Sequence, residues 1–464
     1  MGSFPTADFH GLRATLIGLG SRTHVSLARY LVRMGATVRV TERKSREQLS
    51  IELSLIDGLP IDVRTGNHRV EDVEDADVVF VSPGVPRDLP ILKYAQERGI
   101  PVSSEIELLF NRCRAPIVGI TGSAGKTTTT ALVGNMLREG GRSVFVGGNI
   151  GVPLIESVDQ MTPGDWVVLE LSSFQLEYLT QSARIGAILN VTPNHLERHG
   201  TFDDYRESKF NLLRYQTADD VAVLGADDPV ASSLAGRCNG SVRWFSSLKE
   251  VRRGAFRRGD ELIVRDENED IVFANASDLR LPGNHNVLNV LAAATIARTV
   301  GVSTEAIGRV ATGFGGVEHR LELVRELDGV LYVNDSIATA PERTIAALRV
   351  FDRPVVLIAG GRSKHLPMGD LAKLIVLKAR ALIVVGEMAD EIVEAVRSIP
   401  SGDHLTIERA PSVADAVAFA HRHAHPGDVV LLSPAGTSYD QFRDFEERGR
   451  HFKQVVQMLT AERQ

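Results

Sequence analysis

Residues 116–130 read Pro-Ile-Val-Gly-Ile-Thr-Gly-Ser-Ala-Gly-Lys-Thr-Thr-Thr-Thr, an apolar run suited to a buried strand, then a glycine turn, then the opening of a helix. A strand that ends in such a turn belongs in a parallel α/β sheet, where the turn serves as a phosphate-binding loop. Gly122 and Gly125 let backbone N–H groups turn inward around an anion. Lys126 adds a point charge, and the Thr127 hydroxyl is suited to a Mg²⁺ ion at a helix N-terminus. The spacing is the short form, Gly-x-x-Gly-Lys-Thr, without the earlier glycine of the longer pattern. An ordinary strand-to-helix turn is the bland alternative. The strand before the loop and the helix expected over 128–138 favour the phosphate reading.

A chain of 464 residues is long enough for about three domains, each with its own core. Its 52 Lys and Arg face 59 Asp and Glu, with no basic run, so the net charge of -7 gives neither nucleic acid nor an anionic membrane a foothold. Cys113 and Cys238 are far apart and match no metal-ligand spacing, which suits a reducing compartment. Residues 1–11 lack the basic-then-apolar pattern of a leader, and no apolar run reaches membrane-spanning length. A cytoplasmic, monomeric enzyme without membrane insertion is expected.

The chain begins with a strand over 14–20 that ends in Gly18-Leu-Gly20, then a helix over 21–34 and a strand over 37–41 beside Glu42 and Arg43. This is the opening of a dinucleotide-type fold, with Thr23 where the third glycine would stand. The turn either holds a nucleotide diphosphate or is purely structural. A strand over 77–81 runs into Ser82-Pro83-Gly84-Val85-Pro86, read as a ligand-side turn or a simple chain reversal. After the phosphate loop, strands over 143–147, 165–171 and 185–191 each deliver a polar group from the carboxyl end: Asn149, Glu170 and His195. In a parallel sheet those ends share an edge, so Glu170 and His195 are candidates to face a Mg²⁺ held by nucleotide phosphates. The alternatives are a carboxylate paired to a surface arginine and a loop histidine.

Lys209, on a helix over 202–215, reads from pattern alone as a solvated charge. Residues 254–273 alternate as a β-hairpin would. Asn286 and Asn289 share a face at the start of an alanine-rich helix over 287–299, and capping is the plain role for Asn286. Gly313 to Gly316 reads as a linker, beyond which strands over 331–334, 355–359, 381–385 and 429–432 alternate with helices as a further open α/β sheet.

Taken together, Thr121-Gly-Ser-Ala-Gly-Lys-Thr, Gly148-Asn-Ile-Gly, Leu169-Glu-Leu-Ser-Ser-Phe-Gln-Leu-Glu, Asn190-Val-Thr-Pro-Asn-His, Pro282-Gly-Asn-His-Asn, Glu318-His-Arg and Asn334-Asp-Ser resemble the ATP-dependent Mur ligases, which build the peptide stem of bacterial cell-wall precursors. The Leu-Ser-Ser-Phe-Gln-Leu-Glu string and the closing Leu432-Ser-Pro-Ala-Gly-Thr-Ser-Tyr-Asp-Gln-Phe segment look most like the glutamate-adding branch. The resemblance implies an α/β chain of three domains: a Rossmann-like one over 1–113 for the UDP substrate, a central P-loop ATPase over 114–317, and a Rossmann-like one over 318–464 that takes glutamate and closes over the site. It implies ATP-dependent addition of D-glutamate to UDP-N-acetylmuramoyl-L-alanine through an acyl phosphate.

Residue by residue, the resemblance assigns the ATP phosphates to Gly122, Ser123, Ala124, Gly125, Lys126, Thr127 and Thr128, and Mg²⁺ to Thr127, Glu170 and His195. Lys209 matches a lysine that the family carbamylates into a metal ligand, and it joins Lys126 and His195 as a catalytic candidate. Asn286 and Asn289 match adenine contacts, and Arg320 and Asp335 match residues that reach ATP. Asn149, Ser172 and His195 would meet the sugar-peptide substrate, whose uracil and diphosphate fall on Gly20, Ser21, Arg22, Glu42, Arg43 and Gly84. Glutamate would fall on Thr339, Lys364, Ser438 and Phe445. Where many members continue Asp-Ser with Lys-Ala-Thr-Asn, this chain has Ile337-Ala338-Thr339-Ala340, so a cation and an amide are missing beside the amino-acid pocket. L-glutamate is therefore the alternative substrate. The rival classes are a folylpolyglutamate synthetase-type ligase, an NAD-dependent dehydrogenase and a non-enzymatic UDP-sugar sensor.

Overall fold

The computed structural model describes residues 9–20, 23–151, 153–266, 269–281, 283–364 and 366–460. The chain forms two compact units, Met1–Phe314 and Gly315–Gln464. The first unit holds two sheets and the second holds one.

Strands β1 (Arg13–Ile17), β2 (Thr37–Glu42), β3 (Ile61–Thr65), β4 (Val78–Val81) and β5 (Val102–Ser103) make a parallel sheet in the order β3-β2-β1-β4-β5. That is the doubly wound nucleotide-binding order, whose switch point lies where β1 meets β4. Leu16, Ile17 and Phe80 are fully buried there, each contributing roughly 1.5–3 kcal/mol of apolar burial.

The second sheet contains β6 (Ile117–Thr121), β7 (Val144–Gly148), β8 (Trp166–Glu170), β9 (Ile185–Ile188), β10 (Val221–Gly225), β11 (Ser241–Ser246), β12 (Gly254–Arg258), β13 (Glu261–Asp266) and β14 (Glu269–Asn275). Their order is β14-β13-β12-β11-β10-β9-β6-β8-β7. β6 is an interior strand, paired on both sides and buried at every position, as expected of a strand covered on both faces. The hairpin expected over 254–273 is a three-stranded antiparallel run, β12 to β14, joined to the parallel strands through β11. Helices Lys126–Glu139 and Asn284–Val300 pack together on this sheet. Asn286 does not cap the second of them: Gly283 holds the N-cap position, and the Asn286 carboxamide accepts a hydrogen bond from Asn289 within the first turn.

In the second unit, β15 (Glu322–Leu327), β16 (Val330–Asn334), β17 (Val355–Gly360), β18 (Ala379–Val385), β19 (Thr406–Ala410) and β20 (Val429–Ala435) form a sheet in the order β15-β16-β20-β17-β18-β19. Only the edge pair β15 and β16 is antiparallel. Among the described residues no helix is long and apolar enough to cross a membrane.

Candidate active site

The carboxyl ends of β6, β7, β8 and β9 open onto one cleft of about 250 Å³. Gly122, Ser123, Lys126, Asn149, Ser172, His195 and Lys209 line it together with Gly84 from the turn after β4. One chain of strand ends thus gathers these expected residues, because parallel strands put all their carboxyl ends on the same edge.

Each is held by local chemistry. Lys126 opens the helix behind the loop and donates to the carbonyls of Gly122 (2.9 Å) and Ser123 (3.4 Å). Thr127 is buried within that first turn. Glu170, at the end of β8, is 2% exposed. Its Oε1 accepts from the Asn149 amide at 2.9 Å, and its Oε2 is buried without a hydrogen-bond partner. Asn149 reaches it because Gly148 has φ +91 and a Cβ there would lie 2.2 Å from the Glu170 carbonyl oxygen. Ser172 caps the short helix Ser173–Leu176 in a reciprocal box with Gln175, worth about 1 kcal/mol. His195 adopts φ 54, a left-handed conformation that costs a non-glycine residue about 1–2 kcal/mol.

Lys209 is not solvated. It is 1% exposed on the helix Phe202–Arg214, with its ammonium over the Tyr205 ring (4.5 Å to the centroid) and donating to the Gly122 carbonyl at 3.1 Å. Burial, and secondarily the charge of Lys126, bring its pKa from 10.5 down to about 7. Two lysines therefore converge on a single carbonyl oxygen.

Residues that pattern did not flag complete the cleft. The Phe174 ring meets His195 at 5.1 Å and stacks on His199 at 5.2 Å. The His199 ring is wedged between Glu177 (Nδ1, 3.2 Å) and Ser173 (Nε2, 3.0 Å), and burial lowers its pKa to about 4, leaving it neutral. Arg198 donates to the carbonyls of Pro83, Gly84 and Val85, while Arg87 pairs with Glu177 at 3.0 Å. These two arginines bind the turn after β4 to the second sheet. Tyr205 alone had a sequence signal, since it lies four residues before Lys209 on the same helix face.

Other expected positions fall elsewhere. Gly20 lies beside Ser82 at the switch point of the first sheet, and Glu42, at the end of the neighbouring β2, accepts the Leu19 N–H at 2.7 Å. Arg43 is exposed near them in sequence, and Ser21 and Arg22 lie outside the described residues. Asn289 is buried against the loop, its Oδ1 where a Cβ on Gly125 would stand, with Asn286 one turn away. Ala124 and Thr128 complete the loop and first turn.

In the second unit, Lys364 donates to the Thr339 hydroxyl at 3.2 Å. Asp335 is 4% exposed, accepts from Ser433 (2.8 Å) and the Leu321 N–H (3.2 Å), and is pushed up to about 6 by burial. Arg320 is exposed between two left-handed residues, His319 (φ 64) and Leu321 (φ 45). Ser438 is buried, and the Phe445 carbonyl accepts from Ser336 at 2.7 Å. Arg448, 3% exposed, donates to the Ser336 carbonyl at 2.9 Å and the Gly436 carbonyl at 3.2 Å and so ties both loops together.

Among the described residues no group of three or more His, Cys, Asp and Glu is arranged to hold a metal ion. An ion at Glu170 would need further oxygen ligands from a bound phosphate and water, which is how Mg²⁺ is ordinarily held with nucleotides. The orphaned Oε2 beside the Lys126 loop fits that chemistry.

Comparison with known proteins gives three matches in sequence order. The family described as Mur ligase MurD-like, N-terminal domain, matches residues 13–104; Mur ligase middle domain matches 120–297; and Mur ligase, glutamate ligase domain, matches 319–436. A Symbiobacterium thermophilum protein named UDP-N-acetylmuramoylalanine--D-glutamate ligase is 44% identical, over 97% of this chain and 98% of its own length. A protein of the same name from Acetivibrio thermocellus is 41% identical over 97% of both. The structure of UDP-N-acetylmuramate-alanine ligase MurC from Thermotoga maritima shares the fold, with TM-score 0.52, 21% identity and coverage of 96% and 99% of the two chains.

Proposed function

Because the chain belongs to the Mur ligase family, we propose that it adds D-glutamate to the carboxyl end of UDP-N-acetylmuramoyl-L-alanine at the expense of ATP. The relatives named for that reaction and the MurD-like N-terminal match support the substrate. The observation that carries the chemistry is the cleft itself, where the Lys126 loop, the buried Lys209 amine and Asn149, which holds the buried Glu170 carboxylate behind it, meet the Gly84 turn.

A carboxylate is a poor electrophile. Transfer of the γ-phosphoryl group of ATP to it yields an acyl phosphate and ADP. The glutamate amine then attacks the acyl carbon, an amide bond forms, and phosphate leaves with the carbon–oxygen bond electrons. Lys126 offsets the negative charge that spreads over the transferring oxygens. Mg²⁺, when bound, adds Lewis-acid polarisation of the phosphoryl oxygens. Thr127 and Glu170 would hold it, with His195 at a second ion.

Lys209 fits a carbamate. With its pKa near 7, much of the amine is neutral at physiological pH. Only the neutral amine adds to CO₂, losing a proton and exchanging a cation beside Lys126 for an anion. Asn149, through its bond to Glu170, orients the carboxylate, and from its place in the cleft lining it is assigned to the sugar-peptide substrate. Gly20, Glu42 and Gly84 suit the uridine diphosphate, since they lie at the carboxyl edge of the first sheet. Asn286 and Asn289 are assigned to the adenine side, and Arg320 and Asp335 to the nucleotide. Lys364 with Thr339, in the glutamate ligase domain, is assigned to a glutamate carboxylate through charge-assisted hydrogen bonding, and Ser438 and Phe445 are assigned to the same substrate. We assign the enzyme to the cytoplasm as a monomer.

The test is a ligation assay with ATP, Mg²⁺ and UDP-N-acetylmuramoyl-L-alanine, offering D-glutamate and L-glutamate separately. D-selective product is expected. L-selective product would make Ile337 and Ala340 the leading determinants of stereochemistry, and no product with either would overturn the reading.

A further inference from the structure

The phosphate loop has two fewer residues between its glycines than the long form. A shorter loop has less chain with which to fix its own shape, so its conformation has to be held from outside. In this structure the support is the chain that continues β9. Leu189 N–H donates to the Thr121 carbonyl (2.9 Å), and Ser123 N–H donates to the Asn190 carbonyl (2.9 Å). The Asn190 side chain then grips the next residue from both sides: its Oδ1 accepts from Ala124 N–H at 2.8 Å, and its Nδ2 donates to the Ala124 carbonyl at 3.1 Å. One carboxamide satisfies the donor and the acceptor of one loop residue, as a neighbouring strand would.

Two consequences follow. The Ala124 N–H is spent on Asn190 rather than turned toward an anion, so the inward-facing donors begin at Gly125. In addition, Ser123 and Ala124 lie between Gly122 and Gly125, the two loop residues with positive φ and so the freest to swing. Ala124 itself is exposed, and its own side chain is a methyl that anchors nothing. Ser123 is fixed separately, to Thr192 and to the Tyr205 hydroxyl (3.0 Å).

We propose that Asn190 is a positioning residue for the nucleotide phosphates: it holds the loop in its binding shape before the nucleotide arrives, so that ordering of the loop is not charged to binding. The inference rests on the ATP-dependent reading above and assigns a role to a residue outside the set of phosphate contacts.

The experiment is titration calorimetry of Mg·ADP against the full-length wild type, Asn190→Ala and Asn190→Asp, together with KM for each substrate. Losing the clasp should weaken Mg·ADP about tenfold and raise KM for ATP alike, with KM for glutamate unchanged. Asn190→Asp keeps the acceptor for Ala124, loses the donor and sets a negative charge beside the phosphates. It should bind more weakly than Asn190→Ala at low salt, the gap narrowing as salt is added. A merely structural residue would lower the melting temperature and leave the affinity of the folded protein alone. Folded Asn190→Ala that binds Mg·ADP like the wild type overturns the proposal, as does Asn190→Asp binding as well as the wild type. Failure of the wild type itself to bind Mg·ADP would instead overturn the ATP-dependent reading.

Discussion

Replacing Lys209 by methionine keeps the length and apolar stem of the side chain and removes only its ionisable amine. Because the amine is 1% exposed and its pKa falls from 10.5 to about 7, the folded state disfavours the charged form by about 5 kcal/mol at low pH. The sign follows from proton counting. Between pH 7 and the ordinary lysine value the unfolded chain binds more protons than the folded one, so stability rises with pH across that window. About 4 kcal/mol of the penalty remains at pH 7 and about 2 kcal/mol at pH 9. The methionine variant lacks this titration, so its stability advantage over the wild type should shrink by about 2 kcal/mol between those pH values. Urea unfolding followed by tryptophan fluorescence suits the measurement, because the two tryptophans, Trp166 and Trp244, lie in β8 and β11 of the sheet that carries the site. CO₂-free buffer keeps the amine unmodified. A difference that stays constant from pH 7 to pH 9 would refute the argument that burial depresses this amine.

Two further outcomes are expected. Gly148→Ala must relieve a 2.2 Å contact with the Glu170 carbonyl at φ +91, so it should destabilise the protein by at least about 1–2 kcal/mol and reduce ligation by displacing Asn149 from Glu170; a variant with wild-type melting temperature and turnover would contradict this. Asp335 should take up a proton near pH 6, so the stability its neutral form contributes, complete below the ordinary carboxyl value of 3.8, is lost as pH rises through about 6. Carbon-13 NMR of labelled aspartate carboxyls, with Asp335→Asn to assign the resonance, checks it, and titration in the ordinary range would count against it.

The parallel strands of all three sheets were largely legible because buried α/β strands are continuous apolar runs, as in Val-Val-Leu-Ile-Ala-Gly of β17. β3 and β15 were not, since Ile-Asp-Val-Arg-Thr and Glu-Leu-Val-Arg-Glu-Leu are edge strands rich in charged residues, which imitate loop in sequence although Arg64, Glu322 and Arg325 find partners in the fold. The strand, turn and helix of the Lys126 loop and the strand-end position of Glu170 were legible from local order. Lys209 was not: a lysine on a helix reads as solvated, and its burial depends on the Gly122 carbonyl and the Tyr205 ring arriving from the tertiary fold. Asn190, Arg198 and His199 escaped for the same reason, since their partners lie 21 to 115 positions away.

Arg198 grips the turn after β4 through three backbone carbonyls and no side chain. A seam built that way is indifferent to which residues occupy the turn but sensitive to how many there are. Substitutions at Pro83, Gly84 or Val85 that keep the backbone trace leave it intact, whereas a one-residue insertion or deletion moves every acceptor out of register. For recombination between relatives, the workable crossover lies outside this turn, and a graft of the first sheet has to match its turn in length before it matches it in sequence.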